Sequence, residues 1–177
     1  MTRWVILFRG INVGGHRKIA MAELRLALRD AGFQNVQSYI QSGNVVADLD
    51  ASRAETTQAI QAVVARKFGF DVDVLVMTPP QLGEAVDDLP FDAARTDPAR
   101  VHLFFHLAPE APVAIDDLAG TLENAMAASG ARAHYLSTPD GMSKSKLAEQ
   151  ISRRLSGHAT ARNLRTCRKL MDMAAAR

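Results

Sequence analysis

Along the chain the apolar positions first run without a break and then fall into a helical rhythm. Trp4 to Phe8 is a continuous apolar run of strand length, the pattern of a strand buried on both faces. Met21, Leu24, Leu28 and Ala31 then recur at helical spacing until Gly32 stops them. Val36 to Gln41 and Asn44 to Leu49 are short strand-like runs on either side of Ser42-Gly43, which predicts a hairpin or sharp bend. Ser52-Arg-Ala-Glu55 is a capping box: hydroxyl and carboxylate each satisfy an amide that the helix cannot, and Ile60, Val63, Val64 and Phe68 carry the stripe on to Gly69. Val72 to Met77 reads as a fourth strand. The first half thus spells βαββαβ, the ferredoxin-like order, with an antiparallel sheet and its helices on one face.

The second half is less regular. Thr78-Pro79-Pro80 predicts a helix start, with Leu82, Ala85, Val86 and Leu89 as its stripe before Pro90, and Asp92 to Pro98 reads as a linker. Val101 to Leu107 predicts a strand, Ile115, Leu118, Leu122 and Met126 a helix closed by Gly130, and Ala131 to Leu136 a further strand. Leu147, Ile151 and Leu155 mark one helix up to Gly157, and Thr160 is placed to cap a final one. The expected class is α+β: a ferredoxin-like subdomain over residues 1–78, then a second α+β subdomain over 79–177 ending in two helices. That second half is compatible with a partial repeat of the first and with one compact unit.

Composition narrows the function classes. The 177 residues, 47% hydrophobic and 23% charged, suit a soluble domain, and the apolar runs are strand-sized, so no membrane span and a cytoplasmic location are expected. The lone Cys167 cannot form an internal disulfide or a multi-cysteine metal site, and its apolar neighbours predict a small core residue. No cofactor is implied. The net charge of +2 hides an asymmetry: from Lys144 to Arg177 nine Lys or Arg face two acids, leaving the first 143 residues acidic. Such a basic end suits an anionic partner, nucleic acid among them, or a solvated helix face. In a helix beginning near Thr160, Leu164, Cys167, Leu170, Met171 and Ala174 would share one arc, and Arg162, Arg165, Arg168 and Lys169 the opposite one. No aromatic residue interleaves that basic arc to stack on bases, which favours the solvated face.

The candidate chemistry sits between the first strand and first helix, in Arg9-Gly-Ile-Asn-Val-Gly-Gly-His-Arg-Lys18. Gly10 and Gly15 have the spacing of a P-loop, but His16 and Arg17 stand where such a loop needs Lys and Ser or Thr, and the following hairpin argues against a parallel sheet. What remains is general: Gly10, Gly14 and Gly15 let backbone amides approach a ligand near a helix N-terminus, with Arg9, His16, Arg17 and Lys18 as counter-charges. Gly141-Met-Ser-Lys-Ser145 is similar to the KMSKS loop of class I aminoacyl-tRNA synthetases, and Ser143 with Lys146 has a Ser-x-x-Lys spacing; neither has its companion motif. His102 and His106 share a strand face at roughly 13 Å, too far for one metal ion, and His134 and His158 have no recognisable partners.

Arg9-Gly-Ile-Asn-Val-Gly-Gly15, Met21-Ala-Glu-Leu24, Ser42-Gly-Asn-Val45, Ser145-Lys-Leu147 and Thr160-Ala-Arg-Asn163 fall in the order and spacing of a bacterial family catalogued as domain of unknown function 1697, which the chain resembles over nearly its whole length. The departures concentrate near the end, where Ser143, Lys144, Leu164 and Arg165 replace commoner family residues. The resemblance implies an α+β fold of ferredoxin-like character and no particular activity. Residues and resemblance together suggest a small-anion or phosphate-binding module. Its candidate contacts are Arg9, Gly10, Asn12, Gly14, Gly15, His16, Lys18, Ser42, Gly43, Asn44, Arg162 and Asn163. An enzyme acting on a phosphorylated small molecule and a nucleic-acid binder are the alternatives. In a βαββαβ fold the opening loop and the Ser42–Asn44 bend could share one site or lie at opposite ends.

Overall fold

The uninterrupted apolar run forms β1 (Thr2–Phe8), an interior strand with both faces covered: Trp4, Ile6 and Phe8 on one face and Val5 and Leu7 on the other are all buried. In this computed structural model, which describes residues 1–92, 96–118 and 124–176, the chain is α+β and forms two units. The first unit comprises Met1–Leu82 with Lys169–Arg177, the second Gly83–Arg168. The final residues therefore belong with the first unit, not with the C-terminal half to which the sequence pattern assigned them.

In the first unit β1 lies between β3 (Asn44–Leu49) and β4 (Val74–Met77), with β2 (Gln34–Tyr39) outside β3. The order is β2-β3-β1-β4, antiparallel throughout. Helices α1 (Met21–Asp30) and α2 (Arg53–Phe68) contribute Leu24, Leu28, Ile60 and Val64 to one core with Trp4, Ile6, Phe8, Val45 and Val76. Each such side chain, taken fully out of water, stabilises by about 1.5–3 kcal/mol. The capping box of α2 is formed: the Glu55 amide donates to Ser52 Oγ at 3.3 Å and the Ser52 amide to the Glu55 carboxylate at 2.8 Å. Gly69 closes the helix in the left-handed region at φ 80°.

In the second unit β5 (Val101–His106) lies between β7 (Ala133–Ser137) and β8 (Ala159–Asn163), with β6 (Met126–Ala128) outside β7, again antiparallel throughout. Helix α4 (Lys146–Arg154) lays Leu147 and Ile151 on Phe104 and Leu136. Helix α3 (Pro79–Asp87) starts at the expected prolines, and the Tyr135 hydroxyl donates to its Ala85 carbonyl at 2.8 Å.

Two sequence expectations fail here. Of the helix anticipated from Ile115 to Met126, the described residues show a short 3-10 turn at Asp116–Leu118, and Met126 opens β6; Leu122 lies outside the described residues. Met-Ala-Ala is a helix-forming triplet, so pairing with β7 overrides its local preference. Thr160 is no cap either. It sits in β8, and α5 (Leu164–Ala175) begins four residues later, with the Thr166 amide donating to Asn163 Oδ1 at 2.8 Å. The two C-terminal helices are thus separated by a strand, and Arg162 belongs to that strand rather than to the basic arc of α5. Among the described residues no helix is long and apolar enough to cross a membrane.

Candidate functional site

Antiparallel pairing decides which loops meet. Because β1 runs opposite to both neighbours, its C-terminal end lies beside the start of β3, hence beside the β2–β3 turn, and beside the start of β4. The opening loop and the Ser42–Asn44 bend therefore share one end of the sheet. Two bonds fasten them: the Phe8 amide donates to the Gly43 carbonyl at 2.8 Å, and Asn12 Nδ2 donates to the Gln41 carbonyl at 2.7 Å.

Asn12 organises the loop. Its left-handed backbone (φ 57°) turns the side chain inward, where Nδ2 also donates to the Ile19 carbonyl at 2.9 Å and Oδ1 accepts from the Ile19 amide at 2.8 Å. Its own amide donates to the Arg17 carbonyl at 3.2 Å, closing residues 12–19 on themselves. At the tip, the His16 amide donates to the Val13 carbonyl at 3.3 Å, with Gly14 and Gly15 both left-handed between them. That is the two-residue hairpin turn needing positive φ at both central positions, and glycine alone supplies it without strain.

The basic side chains divide by partner. The Arg9 guanidinium is paired with Asp73 at 3.2 Å, and Arg17 lies over the Phe70 ring at 5.8 Å. His16 and Lys18 are exposed, and no hydrogen bond or ion pair from the Lys18 side chain occurs among the described residues. Lys18, Asn12, Gly15, Ile19, Ala20 and Gln41 line an open depression of about 350 Å³ at the start of α1. The N-cap of that helix is Ala20, whose methyl offers no side-chain cap. The acid of the first turn, Glu23, lines a different groove with Arg66 and Lys67.

The hairpin supports this loop from beneath. Gly43 has φ 76°, and a Cβ there would lie 2.7 Å from Phe8 Cβ and 2.8 Å from Ile11 Cδ1, so both conformation and space demand glycine. Asn44 is fully buried and spans the turn, its Nδ2 donating to the Tyr39 carbonyl at 3.1 Å and to Ser42 Oγ at 3.0 Å.

Arg162 and Asn163 lie in the second unit, in β8. The Arg162 guanidinium is buried and donates to the Ala161 carbonyl at 2.7 Å and Thr160 Oγ1 at 3.0 Å. Burial brings it down to about 10, while Cys167 acts in the opposite direction. Burial likewise pushes the Cys167 thiol up to about 12, which makes it a core side chain rather than a nucleophile. The Gly141–Ser145 turn leads into α4, and its residues Met142 to Ser145 line a cavity of about 570 Å³ with Lys146, Glu149 and Ser152. Among the described residues no three His, Cys, Asp or Glu side chains gather as a metal site. One contact has no trace in sequence spacing: His134 does have a partner, since its ring meets that of His106 edge-on with centroids 4.5 Å apart. Phe104 stands opposite His134 in the β5–β7 register, which brings His106 diagonally alongside.

Two antiparallel sheets, with a glycine-rich loop locked by one asparagine, define an α+β protein of a particular family. The model of the family described as "Protein of unknown function (DUF1697)" matches residues 1–135, and the chain belongs to that family. No curated protein matches it. Among solved structures it is similar to the conserved bacterial protein SP0830 from Streptococcus pneumoniae, at 26% identity over 98% of each chain and a TM-score of 0.77.

Proposed function

We propose that the first unit binds a small anion, a phosphate or carboxylate group, in the depression at the start of α1. The supporting observation is the coincidence of an N-cap without a capping side chain and an exposed, unpaired Lys18 in one depression that the turn's acid does not line. First-turn amides carry partial positive charge and seek acceptors; where the chain supplies no cap, an anion beside a lysine fills that role. Gly15 keeps the rim low, and Asn12 holds the rim in place before any ligand arrives. Arg9 frames the site through Asp73 instead of reaching the anion itself. The nucleic-acid alternative is weakened by the burial of Arg162, and Arg165 of α5 is turned toward Asp97 at 3.4 Å.

The test is thermal unfolding with phosphate, sulfate, phosphosugars and nucleotides. A ligand that binds only the folded state at a hundredfold excess over Kd adds about 2.7 kcal/mol. At least one of these anions should raise Tm, and Lys18→Gln should remove the rise without lowering the unliganded Tm. No rise with any of them at millimolar concentration overturns the proposal.

A further inference from the structure

The second unit contains a buried pair of imidazoles that the anion-site reading does not use. His106, at the end of β5, and His134, in β7, are each 3% exposed. Each ring fastens a different loop to the sheet: His106 Nε2 lies 3.0 Å from the Gly130 carbonyl, in the β6–β7 turn, and His134 Nε2 lies 2.8 Å from the Val113 carbonyl. A carbonyl can only accept, so each Nε2 carries the hydrogen and each Nδ1 is left with its lone pair. Nδ1 of His134 is buried without a partner. A second proton would set two positive charges within one ring contact.

We propose that the His106–His134 pair is an acid-operated clasp: neutral, it holds residues 107–113 and the Gly130 turn against the end of the β6-β7-β5-β8 sheet, and proton uptake by His106 releases them. The surrounding charges do not counter this. Arg132, beside Gly130, is paired with Glu84 at 2.6 Å; Asp116 accepts from Ser129 at 2.8 Å; Asp117 is engaged by Arg154 at 2.9 Å. Glu110 and His158 are exposed, and His102 lies four residues back along the same strand. No carboxylate acts on His106: burial depresses it, the Gly130 carbonyl partly restores it, and His134 depresses it further.

The sign follows. An unfolded histidine titrates near 6.5 and the folded His106 below that, so the unfolded or opened chain binds more protons in between. The clasp is at full strength above pH 6.5 and weakens as pH falls through the window down to the depressed value. The Arg154 bonds to Ala114 and Asp117 keep their strength there, because Asp117 is held below its usual range by Arg154 and loses its charge only in stronger acid. The opening is therefore local. What it uncovers is the apolar floor under Val113, formed by Phe104, Leu136 and Ile151.

Amide hydrogen exchange at pH 7.5 and 5.0, corrected for the intrinsic pH dependence, reads this directly. Residues 107–113 and 129–132 should open severalfold more at pH 5.0, while the amides of Asn12 and Ile19 in the first unit keep their protection. In the double variant His106→Gln, His134→Gln the side-chain amides can still reach the two carbonyls but cannot take up a proton, and the pH effect should vanish. Equal opening at both pH values in the native protein, or a full pH effect surviving in the double variant, overturns the proposal. Should the variant not fold, NMR titration of the native imidazoles decides. A His106 midpoint below 6.5, with Val113 and Gly130 shifting alongside, supports the clasp, and a midpoint at or above 6.5 removes it.

Discussion

The two sheets share one plan and finish it differently. In both, the first strand of the unit is interior, the next two form an outer hairpin, and the last flanks the first on its other side: β2-β3-β1-β4 and β6-β7-β5-β8. In both, the C-terminal end of that first strand therefore arrives beside a hairpin turn and has to be fastened to it. The first unit uses Asn12, whose amide reaches the Gln41 carbonyl and which never changes charge. The second uses His106, whose imidazole reaches the Gly130 carbonyl and which does. The same topological task, given to an amide in one unit and an imidazole in the other, yields one pH-indifferent sheet end and one that answers to acid.

The strongest way to break the comparison is at the turn glycines. Gly43→Val places a branched side chain at positive φ and drives its Cβ into Phe8 and Ile11, so a loss of roughly 3 kcal/mol or more is expected in denaturant melts. Gly130→Ala meets the Tyr135 ring at 2.5 Å and the Ala133 carbonyl at 2.6 Å without the positive φ, and should cost less, about 1–3 kcal/mol. Equal losses would mean that backbone conformation adds nothing at Gly43. Next comes Asn12→Ala, which deletes three side-chain hydrogen bonds and leaves alanine in a left-handed conformation. About 2–3 kcal/mol should disappear, with protease sensitivity rising in residues 12–19.

An acid titration followed by amide exchange should then separate the units. The second unit loses protection in two steps, below 6.5 through His106 and in stronger acid as Asp117 protonates. The first unit should show none until Glu55 protonates. That carboxyl is held below its usual 4.5, chiefly by the Ser52 hydroxyl, so its contribution is present above 4.5 and lost as pH falls through the depressed value. A first unit that softens between pH 6.5 and 5 would erase the contrast. Smallest is Lys18→Gln, at an exposed position. Stability should stay within about 0.5 kcal/mol by denaturant melt, confining the change to anion binding.

Legibility in the sequence follows the same division. The first unit is readable because its signals are local and mutually consistent: an unbroken apolar run for an interior strand, a Ser-x-x-Glu box at one helix start, glycine at its stop. The nearness of opening loop and hairpin was also within reach, since it follows once β1 is placed antiparallel to β3. The second unit conceals its strands. In β8 the buried positions are Thr160 and Arg162, and only the small Ala159 and Ala161 face the core of Phe104 and Leu136, so the alternation carries little apolar signal and reads as a cap and a basic helix. The His106–His134 contact depends on register between strands distant in sequence, and no spacing encodes it.

The discontinuous make-up of the first unit bears on the order of biosynthesis. Arg3 donates to the carbonyls of Met173 and Ala176, near the end of α5, at 2.9 and 2.8 Å, while also gripping Asp48 on the neighbouring strand. Those donors and acceptors are separated in the order of synthesis by the whole of the second unit. At roughly 5–20 residues per second, the ribosome needs on the order of ten seconds to add the inserted second unit before the closing residues appear. During that interval the nascent β-sheet waits with Arg3 lacking these two acceptors, and it is completed only after the second unit has been made.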